Sequence, residues 1–391
     1  MNTSKQDFIG NNMSNSDTLI RPFRISIPQS DLDDLKARLT QIRWPVELPD
    51  VEGNDGVPLG YMKELVEYWR TSYDWRKQET QLNEFPQFTT TIDGANIHFL
   101  HVRSPEKNAF PLILTHGWPG SIVEFLDIIG PLTDPRSYGE DPANAFHVVI
   151  PSIPGFGFSG PTPEKGWDIK RTARAWAELM KRLGYDRYGT QGGDLGSAIS
   201  RTLGAVDPEH VCGVHLNYLF AIPKPNDKLS NLSKEEEDRI TQLKCYLASP
   251  AGYMVLQSTR PQTLSYALTD SPVGQLAWIA EKFREWVDPA CPIGIDRLLT
   301  NVMIYWITGT AGSSARSYYE NAQSKRRPMP CPVPMGVAVF PYDLALPVRQ
   351  LVESQYDIVH WTEFDHGGHF AAMEVPDLLT EDLRDFFRRF R

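Results

Sequence analysis

The sequence predicts an α/β protein, with a mostly parallel sheet covered by helices on both faces, a helical cap and an N-terminal extension wrapped on the core. Three observations predict it. Continuous apolar runs, "FPLILTHGWPGS" and "AFHVVIPSIPGFGFSG", each end in glycine turns, as strands buried on both faces require. Between such runs lie segments whose apolar residues recur with a helical period. From Pro223 to Glu320 the strand signal stops, and long helical stretches with tryptophans replace it. The expected division is an extension over 1–90, a first core part over 91–222, a cap over 223–320 and a second core part over 321–391.

The elements follow in order. The first nineteen residues, "MNTSKQDFIGNNMSNSDTL", are polar, lack an apolar signal core and read as a frayed tail. Phe23, Ile25 and Ile27 alternate like a short strand. A helix is expected from Ser30, with Asp33 as its capping-box partner. Its apolar face is Leu32, Leu35, Leu39 and Ile42, and Trp44-Pro45 stops it. An aromatic-rich helix follows from about Tyr61 to Tyr73. "TTTIDG" and "NIHFLHVRS" form a strand pair turning at Asp93-Gly94. Asp168 caps a helix that aligns Ile169, Ala173, Trp176, Met180 and Leu183, and Gly184 ends it. "DRYGTQ" and "CGVHLN" continue the alternation. In the cap, Ser233 and Glu236 make a second capping box. "MGVAVF" and "DIVHWTEF" return to buried-strand character. The last helix starts at Pro376 and buries Leu379, Leu383, Phe386 and Phe390.

Composition narrows the function. The 391 residues are 41% hydrophobic, enough for a large core, and the formal net charge is -10. An acidic chain without Lys/Arg blocks is a poor partner for nucleic acid or an anionic membrane. Cys212, Cys245, Cys291 and Cys331 are dispersed, with no Cys-x-x-Cys pair. They read as reduced thiols of a cytoplasmic protein, not as a disulfide frame or zinc site. No run of apolar residues reaches spanning length. Neither a cofactor nor a metal is expected, and the oligomeric state, a homodimer included, stays open.

The chemistry concentrates at "QGGDLGS". Gly192-Gly193-Asp194-Leu195-Gly196 has the small-x-nucleophile-x-small spacing of a strand-to-helix elbow, with aspartate where serine is usual. An ordinary turn would also account for the glycines, but the motif lies after a strand and before the helical "SAISRTLGAV". Serine at a saturated carbon would give an ether that water cannot readily cleave. A carboxylate displaces a leaving group at sp³ carbon and gives an ester, which water can open at the aspartate's own carbonyl. Asp194 therefore points to epoxide opening or dehalogenation. The base should lie near the C-terminus, where "DHGGHFAAMEVP" offers His366 and His369. His369 follows two glycines and precedes a helix, which suits a catalytic loop. Asp343, just past the strand in "VAVFPYDLA", is placed to orient it, ahead of Glu353 and Asp357. In "THGWPGS" the loop His116-Gly117-Trp118-Pro119 ends an early strand. Backbone N–H groups of Trp118 and Leu195 would form an oxyanion hole for the Asp194 carbonyl.

Taken together, these residues resemble the microsomal-type branch of the α/β-hydrolase-fold epoxide hydrolases. The likeness covers nearly the whole chain, from "FRISIPQSDLDDLKARL" and "DWRKQETQLNEFPQF" through "HGWPGS", "GGDLGS" and "GYMVLQSTRPQTLSYALTDSPVGQLAWIAEKF" to "LLTNVMIYWITGT", "FPYD" and "GGHFAAMEVP". The resemblance implies that Asp194 is the nucleophile, Asp343 the acid and His369 the base. It further implies that Tyr253 and Tyr318 of the cap donate to the epoxide oxygen, with Tyr319 adjacent to the second. The implied partner is a small, largely apolar epoxide. Two departures stand out. This branch often carries tryptophan after the nucleophile, where Leu195 stands, and nothing matches the N-terminal anchor of animal members. A haloalkane dehalogenase is the nearest alternative, but it usually needs halide-holding N–H donors, one of them a tryptophan side chain just after the nucleophile, where Leu195 stands. A cyclase that opens the epoxide intramolecularly could keep the same residues.

Overall fold

In the computed structural model, which describes residues 19–49, 55–219, 221, 232–248, 252–324 and 329–391, one nine-stranded sheet organises the chain. The strands are β1 (Arg21–Phe23), β2 (Gln87–Ile92), β3 (Ala95–Val102), β4 (Phe110–Thr115), β5 (Phe146–Pro151), β6 (Tyr188–Gly192), β7 (Val211–Leu216), β8 (Met335–Val339) and β9 (Ile358–Glu363). Their order is β1-β2-β3-β5-β4-β6-β7-β8-β9. The pairs from β1 through β3 to β5 are antiparallel, and those from β5 across to β9 are parallel. The β2–β3 hairpin turns at Asp93 and Gly94, with φ of 50° and 79°. Two successive positive φ values give the turn whose twist matches its strands.

Three helices precede the hairpin: α1 (Gln29–Thr40), α2 (Leu59–Thr71) and α3 (Trp75–Leu82). The core helices that follow are α4 (Leu126–Thr133), α5 (Ile169–Arg182) and α6 (Asp194–Val206). After β7 come the cap helices α7 (Lys234–Ala248), α8 (Gly252–Thr259), α9 (Pro261–Asp270), α10 (Pro272–Glu285), α11 (Ile295–Thr308) and α12 (Ala311–Gln323). Short α13 (Arg349–Glu353) and α14 (Ala371–Glu374) and the closing α15 (Pro376–Phe387) complete the chain. Helices cover both faces of the sheet. A Cβ on Gly213 of β7 would meet Phe386 of α15, whereas the next side chain, Val214, lies against Gly204 of α6. Neighbouring residues on a strand point to opposite faces, so α6 and α15 sandwich β7.

The Asp168 cap forms as expected, its carboxylate accepting from the Arg171 N–H at 2.9 Å. The Ser233–Glu236 box closes reciprocally, at 2.9 and 3.2 Å. Four expectations need correction. The Ser30–Asp33 box does not form: α1 starts at Gln29 behind Pro28, and Ser30 turns its hydroxyl to Asp31. Proline presets the first turn's φ and moves the helix start out of the motif's frame. The helix also ends at Thr40, before Trp44-Pro45. The alternating run Phe23–Ile27 is strand only to Phe23, after which the Ile25 N–H bonds the Asn83 side chain. Finally, β9 is not a buried strand: it is the sheet's last strand, half-buried with Val359 and Glu363 exposed. Residues 1–18 of the N-terminal tail and Pro223 fall outside the described residues.

The extension reaches from the sheet to the cap. β1 pairs with β2, while the Tyr68 hydroxyl donates to Asp296 and Tyr73 meets Thr300, both on α11. Among the described residues, no helix is long and apolar enough to cross a membrane.

Candidate active site

The site lies where β4, β6 and β8 end, at the edge of the parallel sheet where such folds bind ligands. β6 finishes at Gly192, beside Thr115 of β4 and Leu216 of β7, and the chain turns straight into α6. Asp194 is the first residue of α6 and has φ of 48°. A non-glycine residue in the left-handed region is strained, and strain of this kind gathers at functional sites. The turn needs glycine on either side of it. A Cβ on Gly196 would stand 1.9 Å from the Thr115 carbonyl oxygen, and one on Gly117 would stand 2.3 Å from Asp194 Cβ. These glycines let two backbones close on one carboxylate.

Asp194 Oδ1 accepts the Trp118 N–H at 2.8 Å, and the carboxylate also accepts from the Leu195 N–H. Burial raises the Asp194 carboxyl above its ordinary value, against the pull of His369 and of these two N–H groups. The Trp118 loop is held by His116, whose neutral ring spans two backbones. Nδ1 donates to the Gly117 carbonyl and Nε2 accepts from the Ile153 N–H. Burial lowers His116 to about 4, which keeps that acceptor available.

His369 stands 3.7 Å from Asp194 Oδ2 through Nε2, and its Nδ1 lies 2.6 Å from Asp343 Oδ1. A carboxylate only accepts, so Nδ1 carries the proton and Nε2 faces Asp194. Burial alone would lower the His369 imidazolium. The Asp343 charge and hydrogen bond, with Asp194 and Glu124 behind them, raise it to about 9. His366 is exposed and pairs with Asp365, away from this arrangement. The loops carrying the acid and the histidine meet in an isolated parallel bridge, Tyr342 with Gly368.

The cap closes the site with aromatic rings. Tyr253 of α8 stacks on Trp118 at 5.0 Å between centroids, and Tyr318 of α12 meets Trp118 edge-on at 5.9 Å. The two tyrosine rings are 6.1 Å apart at 78°. Both line a cavity of about 260 Å³ with Asp194, Leu195, Leu219 and Met254. Tyr319, one position on along α12, is half-buried and not in that lining. One residue of helix turns a side chain by about 100°, which separates the two neighbours.

Sequence reasoning missed four residues. Glu124, on the turn Ile122–Phe125, is buried near Asp194 and His369, and burial raises it to about 8. Its signal was a carboxylate inside the apolar run "SIVEFLDII". Glu374 accepts from the N–H groups of Phe370 and Asp288, at 2.8 and 2.7 Å. Asp288 in turn accepts from Gly367, and the Trp286 carbonyl accepts from the His369 N–H at 2.9 Å. Together they pin the histidine loop to the segment that follows cap helix α10. Only Glu374 is near enough to His369 in sequence to have been suspected.

Comparison with known proteins gives the family. Residues 20–125 match the family described as "Epoxide hydrolase N terminus", and residues 111–235 match "alpha/beta hydrolase fold". A relative from Stigmatella aurantiaca is 48% identical over 379 residues, covering 95% of this chain and 86% of its own. Epoxide hydrolase 1 of Sus scrofa is 37% identical, covering 95% and 89%. The solved structure of Aspergillus niger epoxide hydrolase superposes with a TM-score of 0.86 at 35% identity, covering 95% of this chain and 97% of that one. Fold, site and relatives converge: the chain belongs to the epoxide hydrolases of the α/β-hydrolase fold.

Proposed function

We propose that this epoxide hydrolase converts its substrate to a vicinal diol through a covalent ester on Asp194. The observation that carries the reading is the asymmetric setting of that carboxylate. Oδ1 is held by the Trp118 N–H, while Oδ2 is the oxygen nearer His369. Oδ2 attacks an epoxide carbon, the C–O bond of the ring breaks, and the ring oxygen takes a proton from Tyr253 or Tyr318. A phenol suits this task, because its O–H is intact at neutral pH yet far more acidic than the alcohol it creates. Oδ1 then becomes the ester carbonyl oxygen, already in the oxyanion hole of Trp118 and Leu195. Each such donor is worth about 3 kcal/mol when negative charge develops on that oxygen.

The first step also prepares the second. The Asp194 charge is one of the influences holding the His369 proton. Alkylation consumes that charge and leaves a phenolate, so the imidazole pKa falls, its proton passes back to the tyrosine, and Nε2 becomes free to take a proton from water. Water attacks the Asp194 carbonyl carbon, and collapse of the tetrahedral intermediate expels the diol and restores the carboxylate. Asp343 holds the ring and balances the imidazolium that forms.

Single turnover in ¹⁸O-water with excess enzyme tests this reading. The first diol should be unlabelled, since its new oxygen comes from Asp194, and the label should remain in the carboxylate. Label in the first diol means direct attack by water and overturns the ester. A cyclic ether in place of diol would assign the chain to intramolecular opening.

A further inference from the structure

The cavity at Asp194 runs along one face of α6. Asp194, Ser197, Ala198 and Arg201 all line it, at the i, i+3, i+4, i+7 spacing that puts side chains in one row. Among the described residues of the lining, Arg201 is the only cationic one. Its guanidinium lies over the Tyr356 ring at 5.3 Å from the centroid, and Nη1 donates to the Tyr356 hydroxyl. Stacking and hydrogen bond hold the head in one place. Among the described residues no carboxylate pairs with it, although the chain carries 49 Asp and Glu against 39 Lys and Arg. A guanidinium has five N–H donors, and one neutral hydroxyl uses a single one.

We propose that Arg201 selects epoxides that carry a carboxylate at the far end of an apolar chain, an inference that rests on the reading of Asp194 as nucleophile. Seven helical steps separate the two side chains, about 10 Å along the axis. The epoxide sits against Asp194 and the acid against Arg201, and the chain between them lies against Leu195, Leu219 and Met254. Arg201 is thus a specificity-determining residue. It is too far along α6 to touch the reacting carbon, so it acts on affinity and leaves the chemical step alone. A guanidinium already stacked on an aromatic ring is well suited to a carboxylate, because less side-chain freedom is lost on pairing.

The test compares terminal-epoxy alkanoic acids of increasing length with their methyl esters, using styrene oxide as an uncharged reference. The parent enzyme should favour one chain length as the acid, with kcat/KM about tenfold or more above the ester. Arg201→Met should abolish that preference through KM. It should leave kcat, the ester and styrene oxide within about twofold, and Arg201→Lys should restore part of the preference. Acid and ester turned over equally by the parent overturns the proposal. So does an Arg201→Met variant that loses acid, ester and styrene oxide alike, because Arg201 would then only brace α6 against Tyr356. Turnover of styrene oxide without turnover of any acid also overturns it, while the nucleophile reading stands. Failure on every epoxide, with no ester formed, overturns both.

Discussion

At the scale of the residue, the site balances three carboxyl groups, Asp194, Asp343 and Glu124, against one imidazole. Glu124 sits apart from the others in that burial raises it to about 8, so it holds its proton at neutral pH. A third anion there would strengthen the hold on the His369 proton, because Glu124 is among the groups that raise it. Glu124→Gln keeps the shape and removes the ionisation. The His369 midpoint of the free enzyme, about 9 and so above the point where Glu124 ionises, should then move down when followed by NMR of the imidazole, since a neutral neighbour lets His369 lose its proton sooner. An unshifted midpoint would show that Glu124 only fills space. His369→Gln separates the two steps. A carboxylate needs no base to attack, so alkylation should continue while hydrolysis falls by at least about a hundredfold. Intact-mass spectrometry should find the Asp194 adduct, and normal turnover by this variant would mean that another group is the base.

At the scale of the element, function depends on α6 starting at the right residue and on two cap helices facing it. α8 brings Tyr253 and α12 brings Tyr318, so each proposed donor comes from a different helix, with Trp118 packed against both rings. The Tyr253→Phe, Tyr318→Phe double variant should lose alkylation rate by about a hundredfold or more, as for oxyanion donors elsewhere. Single variants should lose less, because one phenol can substitute for the other. Hydrolysis of a preformed ester should be nearly unchanged, and near-parental alkylation by a folded double variant would remove both tyrosines from the mechanism. Elements with local punctuation were legible in the sequence. "QGGDLGS" and "HGWPGS" announce their turns because only glycine tolerates the approach of Thr115 to Gly196 and of Asp194 to Gly117. Asp168 was legible as a capping carboxylate and Asp93-Gly94 as a positive-φ turn. What the sequence hid is relational. Periodicity cannot tell an edge strand such as β9 from a central one, and it cannot show that Glu374 and Asp288, 86 residues apart, share a hydrogen bond. Ser30 misled because the capping-box motif ignores the proline that sets the helix start.

At the scale of the whole molecule, the sheet is closed at its C-terminal side by α15, and one buried carboxylate fastens that helix. Asp382 of α15 accepts from His215 of β7 at 2.8 Å and from His360 of β9 at 2.7 Å, and the Thr362 hydroxyl also donates to it, at 2.6 Å. Three strands' worth of packing, from β7 across β8 to β9, thus depends on one charge. Burial would raise the Asp382 carboxyl, but the hydrogen bonds from His215 and His360 outweigh it and hold it well below the usual aspartate value. A folded-state pKa below the unfolded one gives stability that is present above about pH 4 and disappears as pH falls through the folded value. For a well-paired buried aspartate this is on the order of 2 kcal/mol at neutral pH. The active site acts in the opposite direction. His369 is raised to about 9, so its contribution is complete below its ordinary value, about 6.5, and fades as pH rises through 9. Glu124, raised to about 8, likewise costs stability as pH climbs from about 4.3 toward 8. The protein should therefore be most stable on the mildly acidic side of neutrality, with a steep loss on the acid flank that belongs to Asp382. Asp382→Asn preserves volume and removes the charge. Thermal melts should place this variant a few degrees below the parent at pH 6, with the gap narrowing toward zero as pH falls below about 4. A constant gap across that range would show that the aspartate contributes shape alone and that the acid flank has another origin.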